Sequence, residues 1–377
     1  MLKALRSVMV TLVISNALPA ARGANPQAPH PEASTVQWIA LSDPRLEVDG
    51  LFWYKQNGGA LNRLPLRMKD KISPPVWEQA SCPSGARIRF RTDTKVLAIR
   101  LEYPSPPDML NLHAMGQTGV DLYVDGKYRA TAFADTKASP GHTYEREYFR
   151  FEKKPRMERE VVLYLPIYKP VKVLGIGIDS AARVLPARAF SMQKPVVFYG
   201  TSITQGGCAS RPGLSYTALL GRMLNSDFVD LGFSGQGLGL AEEAQLVSEI
   251  DAACFVLDYG VNNMTLESLQ KVYLPFLQTI RSKHPDTPIL AITPIYESRE
   301  FWPGGNPPPW EAMRAHIRSV VKQLREAGDR HLEVIDGTDL LGPADGDALT
   351  DGTHPNDYGF RLMAERLAPR LRRLLAP

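Results

Sequence analysis

The sequence predicts a β-sandwich followed by an α/β domain built on a parallel sheet. From about Val36 to Arg188, apolar and polar residues alternate with a period of two, which is typical of antiparallel strands. After Pro195, continuous apolar runs alternate with segments of helical periodicity, which is typical of parallel strands covered by helices on both faces. The chain has 377 residues, 44% of them hydrophobic, so each half can form a core of its own.

The N-terminus has the order of features found in a secretory signal peptide. Lys3 and Arg6 precede an apolar run from Val8 to Leu18, and small residues follow it. The apolar run is too short to span a membrane as a stable helix. We therefore expect a signal peptide at residues 1–23, a flexible leader at 24–35, and export to the periplasm or the medium without a membrane anchor.

Charge and cysteine content argue against other classes of protein. The net charge of +4 is small for a chain of this length, which argues against a nucleic-acid-binding protein. Cys82, Cys208 and Cys254 allow one disulfide at most, and the sequence does not assign it. Their spacing to the histidines does not resemble a zinc site, so neither a metal nor an organic cofactor is implied.

The first half, predicted as residues 36–190, contains short strands separated by proline and glycine, without a convincing helix. The predicted strands are 87–91, 96–102, 120–124, 127–133, 161–165 and 173–178. The third and fourth are joined by Asp125-Gly126, a pair that tolerates the positive φ values of a tight hairpin turn. This pattern predicts a β-sandwich or jelly roll.

The second half, predicted as residues 191–377, contains five apolar runs that predict parallel strands: Val196–Tyr199, Phe228–Phe233, Ala253–Tyr259, Ile289–Ile295 and Leu332–Ile335. Helical periodicity falls near 215–225, 240–250, 266–284, 309–327 and 356–375. In such sheets ligands bind beyond the carboxyl ends of the strands. Catalytic groups are therefore expected in the loops that follow them.

A serine follows the first of these strands. The stretch VVFYGTSITQG places Ser202 in a run of small polar residues just after the strand. A serine hydroxyl is a weak nucleophile until a base lies within hydrogen-bond reach. His354 can be that base, and Asp351, three residues earlier in the same loop, can fix its tautomer. The three residues form a candidate triad, although each motif alone also fits a turn or a helix cap.

Acyl transfer also needs hydrogen-bond donors where negative charge develops on the tetrahedral intermediate. The backbone N–H of Ser202 is one candidate donor, provided that this residue opens a helical turn. Gly235 is another, because a residue without Cβ allows close approach of its backbone. Asn262 can supply a side-chain amide. Each residue also fits a structural role in a turn.

Four blocks in this order resemble the SGNH hydrolases, also called the GDSL family: Gly200-Thr-Ser202, Leu231-Gly-Phe-Ser-Gly235, Gly260-Val-Asn262-Asn263 and Asp351-Gly-Thr-His354. The resemblance implies a flavodoxin-like, three-layer domain with a five-stranded parallel sheet. It also implies a serine hydrolase in which Ser202 is the nucleophile, His354 the general base and Asp351 its orienter. An oxyanion hole would be formed by Ser202, Gly235 and Asn262.

The sequence departs from the family pattern at two positions. Thr201 replaces the usual aspartate before the serine Ser202, and Asn263 replaces the acid after the oxyanion asparagine. Both are neighbours of catalytic members of their blocks, so the departures put local support in doubt rather than the chemistry.

The first half carries a resemblance of its own. Gly119-Val-Asp-Leu-Tyr123 resembles the Gly-x-Asp-Leu-Tyr signature of the β-rich domain that precedes certain SGNH esterases. Leu165-Pro-Ile-Tyr168 and the Gly232–Gly237 block also fit that subgroup. Its described members are mostly carbohydrate esterases or uncharacterised, and the resemblance implies an enzyme similar to the acetylxylan esterases.

We therefore expect an exported serine esterase that removes acetyl groups from a polysaccharide or oligosaccharide such as xylan. The aromatic-rich loop 296–310 can line a sugar site by stacking, or can simply cover the sheet edge. Three alternatives stay open: a lipase for longer acyl esters, an α/β-hydrolase with Ser234 as nucleophile, and a catalytically silent carbohydrate-binding protein. The block around Ser234 misses the α/β-hydrolase motif because Gln236 stands at its fifth position.

Overall fold

The computed structural model describes residues 35–151 and 153–376. The signal peptide predicted at 1–23 and the leader predicted at 24–35, apart from residue 35, lie outside the described residues. Within the described part of the chain, none of the helices has the length and apolar character that a membrane crossing requires.

The first half of the described chain is a sandwich of antiparallel strands: β1 (Val36–Ile39), β2 (Glu47–Asp49), β3 (Arg87–Thr92), β4 (Val96–Glu102), β5 (Val120–Val124), β6 (Lys127–Ala132), β7 (Thr143–Arg150), β8 (Arg159–Tyr164), β9 (Lys172–Asp179) and β10 (Val184–Leu185). One sheet has the order β1-β9-β4-β7 and the other β10-β3-β8-β5-β6, with β2 paired to β3. Apolar side chains from both sheets, such as Phe90 and Ile176, form one core. The predicted β-sandwich is confirmed.

The hairpin between β5 and β6 turns at Asp125 and Gly126, whose φ angles are +49° and +73°, as the Asp-Gly pair predicts. Strands β1, β2, β7 and β10 were not predicted, because they are short or carry mainly polar residues. The expectation of no helix in this half was wrong. Helix α1 (Pro74–Ala80) begins with two prolines, which suit a first helical turn, and α2 (Ala114–Thr118) precedes β5.

The second half is a parallel sheet of β11 (Val196–Gly200), β12 (Phe228–Gly232), β13 (Cys254–Asp258), β14 (Ile289–Ile292) and β15 (Leu332–Ile335). The strand order is β12-β11-β13-β14-β15, which is the flavodoxin-like arrangement. Its helices are α3 (Ser202–Gln205), α4 (Tyr216–Leu224), α5 (Ala241–Val247), α6 (Leu266–Lys283), α7 (Trp310–Glu326), α8 (Gly337–Leu340) and α9 (Asp357–Leu374). All five predicted strands and five predicted helices are present, while the four-residue helices α3 and α8 were not predicted.

The first half contributes side chains to the cores on both faces of the parallel sheet. One core contains α5, α6 and α7 and receives Trp53 and Leu64 from the segment between β2 and β3. The other core contains α4 and α9 and receives Ile167 and Tyr168 from the segment after β8. The sandwich is therefore packed into the α/β half through shared apolar cores.

A fully buried cation, Arg63, lies where the two halves meet. The residue is 1% exposed, and its guanidinium lies 3.5 Å from the carboxylate of Asp230. The guanidinium donates to four backbone carbonyl groups, those of Gln79, Cys82, Asp230 and Gly232. Because β12 ends at Gly232, these bonds hold the start of the loop that carries Gly235.

We expect Arg63→Ala to lower the free energy of unfolding by about 3–5 kcal/mol, because it leaves a buried carboxyl and several carbonyl groups without their partner. Denaturant unfolding followed by circular dichroism measures this loss. The control is Arg45→Ala, which breaks the ion pair between Arg45 and Asp43. This pair lies at the surface, since 46% of the arginine side chain is exposed. That variant is expected to lose less than about 1 kcal/mol. Equal losses in both variants would contradict the role of Arg63.

Candidate active site

The three predicted triad residues form one chain of hydrogen bonds. Oγ of Ser202 lies 2.9 Å from Nε2 of His354. Nδ1 of His354 lies 2.9 Å from Oδ2 of Asp351. In this geometry the imidazole can accept the serine proton while the carboxylate fixes its tautomer and stabilises the imidazolium.

Ser202 is positioned by the sharp junction between β11 and α3. A Cβ atom at Gly200 would lie 2.0 Å from Oγ1 of Thr204 and 2.4 Å from the carbonyl oxygen of Asp258, so only glycine permits this approach. The Oγ1 atom of Thr201 accepts a hydrogen bond from the backbone N–H of Ile203 at 3.3 Å. Thr201, which stands where the family usually has aspartate, therefore caps the short helix that begins at Ser202.

Asp351 is held by its own loop. Its Oδ1 accepts hydrogen bonds from the backbone N–H groups of Thr353, at 3.1 Å, and His354, at 2.8 Å. Burial raises the pKa of Asp351, but these bonds and those from Asn111 and the His354 ring outweigh it, so the pKa lies well below its usual range. The carboxylate is therefore ionised at neutral pH.

Asn111 contacts the site from the first half of the chain and was not predicted. Its Nδ2 donates to Oδ2 of Asp351 at 3.0 Å. The loop that carries Asn111 is held by Gln117, whose Oε1 accepts from the backbone N–H of Asp108 at 2.8 Å. Lys169 adds an ion pair to the Asp108 carboxylate at 2.8 Å. No local pattern identifies Asn111, because its partner comes from the other half of the chain.

Two of the three predicted oxyanion residues, Gly235 and Asn262, are in contact. One end of the Asn262 amide lies 3.2 Å from the backbone nitrogen of Gly235 and 3.1 Å from those of Gln236 and Gly237. Only the amide oxygen can accept from these N–H groups, so Oδ1 faces the loop and Nδ2 is directed away from it. The backbone N–H of Ser202 lies in the first turn of α3, where no carbonyl of the same helix can accept from it.

Two buried side chains support the loop that carries Gly235 and the turn that carries Ser202. Gln205 is fully buried; its Oε1 accepts from the backbone N–H of Ser234 at 2.9 Å, and its Nε2 donates to the carbonyl of Ile167 at 3.1 Å. The Tyr168 hydroxyl donates to the carbonyl of Ser202 at 3.4 Å. Tyr168 and Ile167 belong to the block that the sequence singled out in the first half. The structure shows that this block packs beneath the serine.

Asn263 and Ser234 have contacts that suit structural roles. The side chain of Asn263, which replaces the family's usual acid, donates through Nδ2 to the carbonyl of Leu238 at 3.0 Å. Ser234, the alternative nucleophile, lies in the loop after β12, whereas Nε2 of His354 contacts Ser202. The geometry therefore favours Ser202 over Ser234.

The aromatic residues of loop 296–310 fall into two groups, some exposed to solvent and one buried in the core. Phe301 and Trp302 are each 63% exposed. The loop is tied to the triad loop because the backbone N–H of Ser298 donates to the carbonyl of Gly352 at 2.9 Å. Trp310 is buried and donates through Nε1 to the carboxylate of Glu297 at 2.7 Å, so it belongs to the protein core.

Comparison with known proteins decides the family. Residues 193–372 match the model of the GDSL-like lipase/acylhydrolase family, and residues 36–184 match the N-terminal domain of SGNH-hydrolase-type esterases. A protein from Bacteroides ovatus described as a GDSL-like lipase is 30% identical, with 90% of this chain and 98% of that chain covered at a TM-score of 0.77. The chain belongs to the SGNH, or GDSL-like, family of ester hydrolases. The predicted family and enzyme class are confirmed.

Two further solved structures share the fold of this SGNH hydrolase. The salicylyl-acyltransferase SsfX3 from a tetracycline biosynthetic pathway is 24% identical over 92% of this chain and 98% of its own, at a TM-score of 0.77. A family two carbohydrate esterase from Clostridium thermocellum, in complex with cellohexaose, is 17% identical over 78% of this chain and 93% of its own, at a TM-score of 0.59. No match was found among curated proteins.

We expect Asn111→Ala to lower kcat for 4-nitrophenyl acetate about tenfold, because a hydrogen bond to a charged group contributes about 1.5–3 kcal/mol and this one orients Asp351. KM should change little, since the partner of Asn111 is Asp351, whose predicted role is to orient His354 and not to bind the substrate. Asn111→Asp has the same size but places a second carboxylate against Oδ2, so its kcat should fall further. Steady-state kinetics on both variants measure these effects.

The control is Leu110→Ala, which changes a fully exposed side chain next to Asn111. This variant should keep the kinetics of the parent enzyme. A merely space-filling role for Asn111 would instead leave Asn111→Asp active, and that result would contradict the assignment.

A buried carboxyl group, Asp258, lies beside α3. Its Oδ2 accepts from the hydroxyl groups of Thr204, at 3.1 Å, and Tyr216, at 2.9 Å. Burial raises the pKa of Asp258 to about 6, although these hydroxyl groups oppose the rise. An acid with a raised pKa in the folded state costs stability as the pH rises from its unfolded value through its folded value. The contribution of Asp258 should therefore lower the free energy of unfolding progressively between about pH 4 and pH 6, and the full loss should be present at higher pH.

We expect Asp258→Asn to gain stability relative to the parent protein as the pH rises from 4 to 8, by up to about 3 kcal/mol, because asparagine does not ionise. Thermal unfolding at several pH values measures the difference. Asp286→Asn, at an exposed position, serves as the matched control. A stability difference between Asp258→Asn and the parent that does not change with pH would rule out a raised pKa for Asp258.

Proposed function

We propose that this SGNH hydrolase removes short acyl groups, chiefly acetyl, from a polysaccharide or oligosaccharide such as xylan, and does so outside the cytoplasm. The observation that carries the proposal is the hydrogen-bonded chain from Ser202 Oγ through His354 to Asp351, with both distances 2.9 Å. It joins a nucleophile, a base and a carboxylate in the arrangement that ester hydrolysis by serine requires.

In the first step of the proposed mechanism, Oγ of Ser202 attacks the acyl carbonyl carbon while Nε2 of His354 takes the hydroxyl proton. Asp351 stabilises the imidazolium that forms. The oxyanion is stabilised by the backbone N–H of Ser202 and by Nδ2 of Asn262, and the N–H of Gly235 joins them when it exchanges the amide oxygen of Asn262 for the oxyanion. His354 then gives the proton to the departing sugar oxygen, which leaves an acyl group on Ser202.

In the second step water attacks the acyl-enzyme. His354 takes a proton from the water, the second tetrahedral intermediate uses the same donors, and its collapse releases the acid and restores the Ser202 hydroxyl. The side chain of Asn262 is already held through its Oδ1 by the backbone N–H groups of Gln236 and Gly237, so its Nδ2 needs little reorganisation when negative charge develops.

A carbohydrate substrate is supported by the exposed rings of Phe301 and Trp302, which are tied by Ser298 and Gly352 to the triad loop. Aromatic faces at a site rim offer stacking surfaces for sugar rings. The shared fold with a carbohydrate esterase that was solved with cellohexaose agrees with this proposal. Export is supported by the signal-peptide pattern that begins with Lys3 and Arg6.

We expect the purified protein to hydrolyse 4-nitrophenyl acetate faster than the butyrate or octanoate ester, and to release acetate from acetylated xylan. Ser202→Ala should lower kcat by at least about 10⁴-fold, because removal of a triad nucleophile leaves only the binding and oxyanion terms. Initial rates across the ester series, together with an acetate assay on xylan, measure these effects.

The matched control is Ser234→Ala, which should retain turnover. If Ser234→Ala is inactive and Ser202→Ala is active, the nucleophile is Ser234 and the assignment of Ser202 is wrong. Preference for octanoate would favour a lipase instead. Absence of turnover on every acyl ester would support a silent carbohydrate-binding protein.

A further inference from the structure

We propose that Cys208, Asp351 and His354 form a site for a zinc ion that switches the esterase off. One ligand atom from each residue, the thiol sulfur, a carboxylate oxygen and a ring nitrogen, lie within 4.8 Å of one another. The proposal adds regulation to the active site, and its inhibitory consequence rests on the proposed function of His354. These residues come from loops far apart in the chain, so no Cys/His spacing in the sequence predicts the site.

Cys208 is brought to the triad by the turn after α3. A Cβ atom on the preceding residue, Gly207, would lie 3.4 Å from Cδ2 of His354, which shows how closely this turn approaches the imidazole. Cys208 itself has a φ angle of +72°, a conformation that residues other than glycine rarely adopt. It is partly exposed, whereas Cys82 and Cys254 are buried, and all three thiols are free.

The three ligand types and their spacing suit zinc. Cysteine sulfur, histidine nitrogen and carboxylate oxygen are the ligands that zinc uses in proteins, and three of them with one open position are sufficient. Zn–S and Zn–N bonds of about 2.3 and 2.0 Å place sulfur and nitrogen about 3.5 Å apart in a tetrahedral site. The three ligand atoms lie within 4.8 Å of one another, so zinc binding has to draw them to about this separation.

The charges balance without another reactant. A cysteine thiol without a metal carries its proton at neutral pH. Zinc binding forms a Zn–S bond, breaks the S–H bond and releases one proton to solvent. Asp351 is already a carboxylate and contributes a second negative charge to the site.

Inhibition follows whichever ring nitrogen of His354 binds zinc. If Nε2 binds the metal, it cannot accept the proton of Ser202. If Nδ1 binds the metal, the neutral ring carries its proton on Nε2, which is then a donor rather than a base. In both cases Ser202 loses its general base.

The test is a Zn²⁺ titration of 4-nitrophenyl acetate hydrolysis by the full chain, Cys208→Ala, Cys208→Ser and Cys82→Ala. The parent enzyme and Cys82→Ala should be inhibited alike, with activity restored by EDTA. Both Cys208 variants should keep metal-free activity and need at least tenfold more zinc for half inhibition. Mg²⁺, which prefers oxygen ligands, should not inhibit. Equal inhibition of the Cys208 variants, or none of the parent, overturns the proposal.

A binding measurement separates this proposal from the proposed function. Competition against a chromophoric zinc chelator should show one zinc bound by Ser202→Ala, and none of that affinity in the double variant Ser202→Ala, Cys208→Ala. If the parent protein binds zinc but hydrolyses no ester, the zinc site is supported and the esterase proposal is contradicted. If the parent protein hydrolyses esters but binds no zinc, the esterase proposal is supported and the zinc site is contradicted.

Discussion

The parallel sheet brings the carboxyl ends of its strands to one edge, and the whole arrangement at the site depends on that constraint. In the sheet register Gly200 lies opposite Gly232 on one side and Asp258 on the other. The loops that follow these three strands therefore begin side by side. Glycine at the first two positions lets the short helix α3 and the loop after β12 pack without a side chain between them.

The sandwich does more than precede this sheet. It sends Arg63 beneath the loop after β12, Tyr168 beneath Ser202 and Asn111 to the carboxylate of Asp351. Each contact adds a hydrogen bond to a polar group of the site or of its supporting loop. Because these contacts hold the nucleophile, the oxyanion loop and the carboxylate, the sandwich helps to set the geometry of the site in addition to shaping its surroundings.

The close packing of the loops at the sheet edge also places Cys208 near the triad. The turn that carries Ser202 away from the sheet edge returns a thiol to the imidazole and the carboxylate. A histidine and a carboxylate that are placed for proton transfer are also placed as metal ligands, because both roles use the same lone pairs. Addition of one sulfur ligand is enough to make the two roles compete.

Much of the fold could be predicted because it rests on local patterns. The period of two predicted six strands of the sandwich, and the apolar runs predicted every strand of the parallel sheet. Strands with polar sequences, such as β7, were missed, since nothing in their own residues distinguishes them from loops. Helix α1 was missed because its buried residues Val76 and Ala80 pack into the core around α5, α6 and α7, which belong to the other half.

For the site, the sequence by itself determined the candidates Ser202, His354, Asp351, Gly235 and Asn262, because each lies in a short block next to a predicted strand or helix. Only the tertiary structure decided that Ser202, rather than Ser234, faces His354, and that Asn111 donates to the carboxylate of Asp351. It also decided that the thiol of Cys208 lies within 4.8 Å of that carboxylate and of the imidazole. The physical reason is distance along the chain. Hydrogen bonds between loops of different elements leave no periodicity in the sequence, so they exist only once the sheet and the sandwich have brought those loops together.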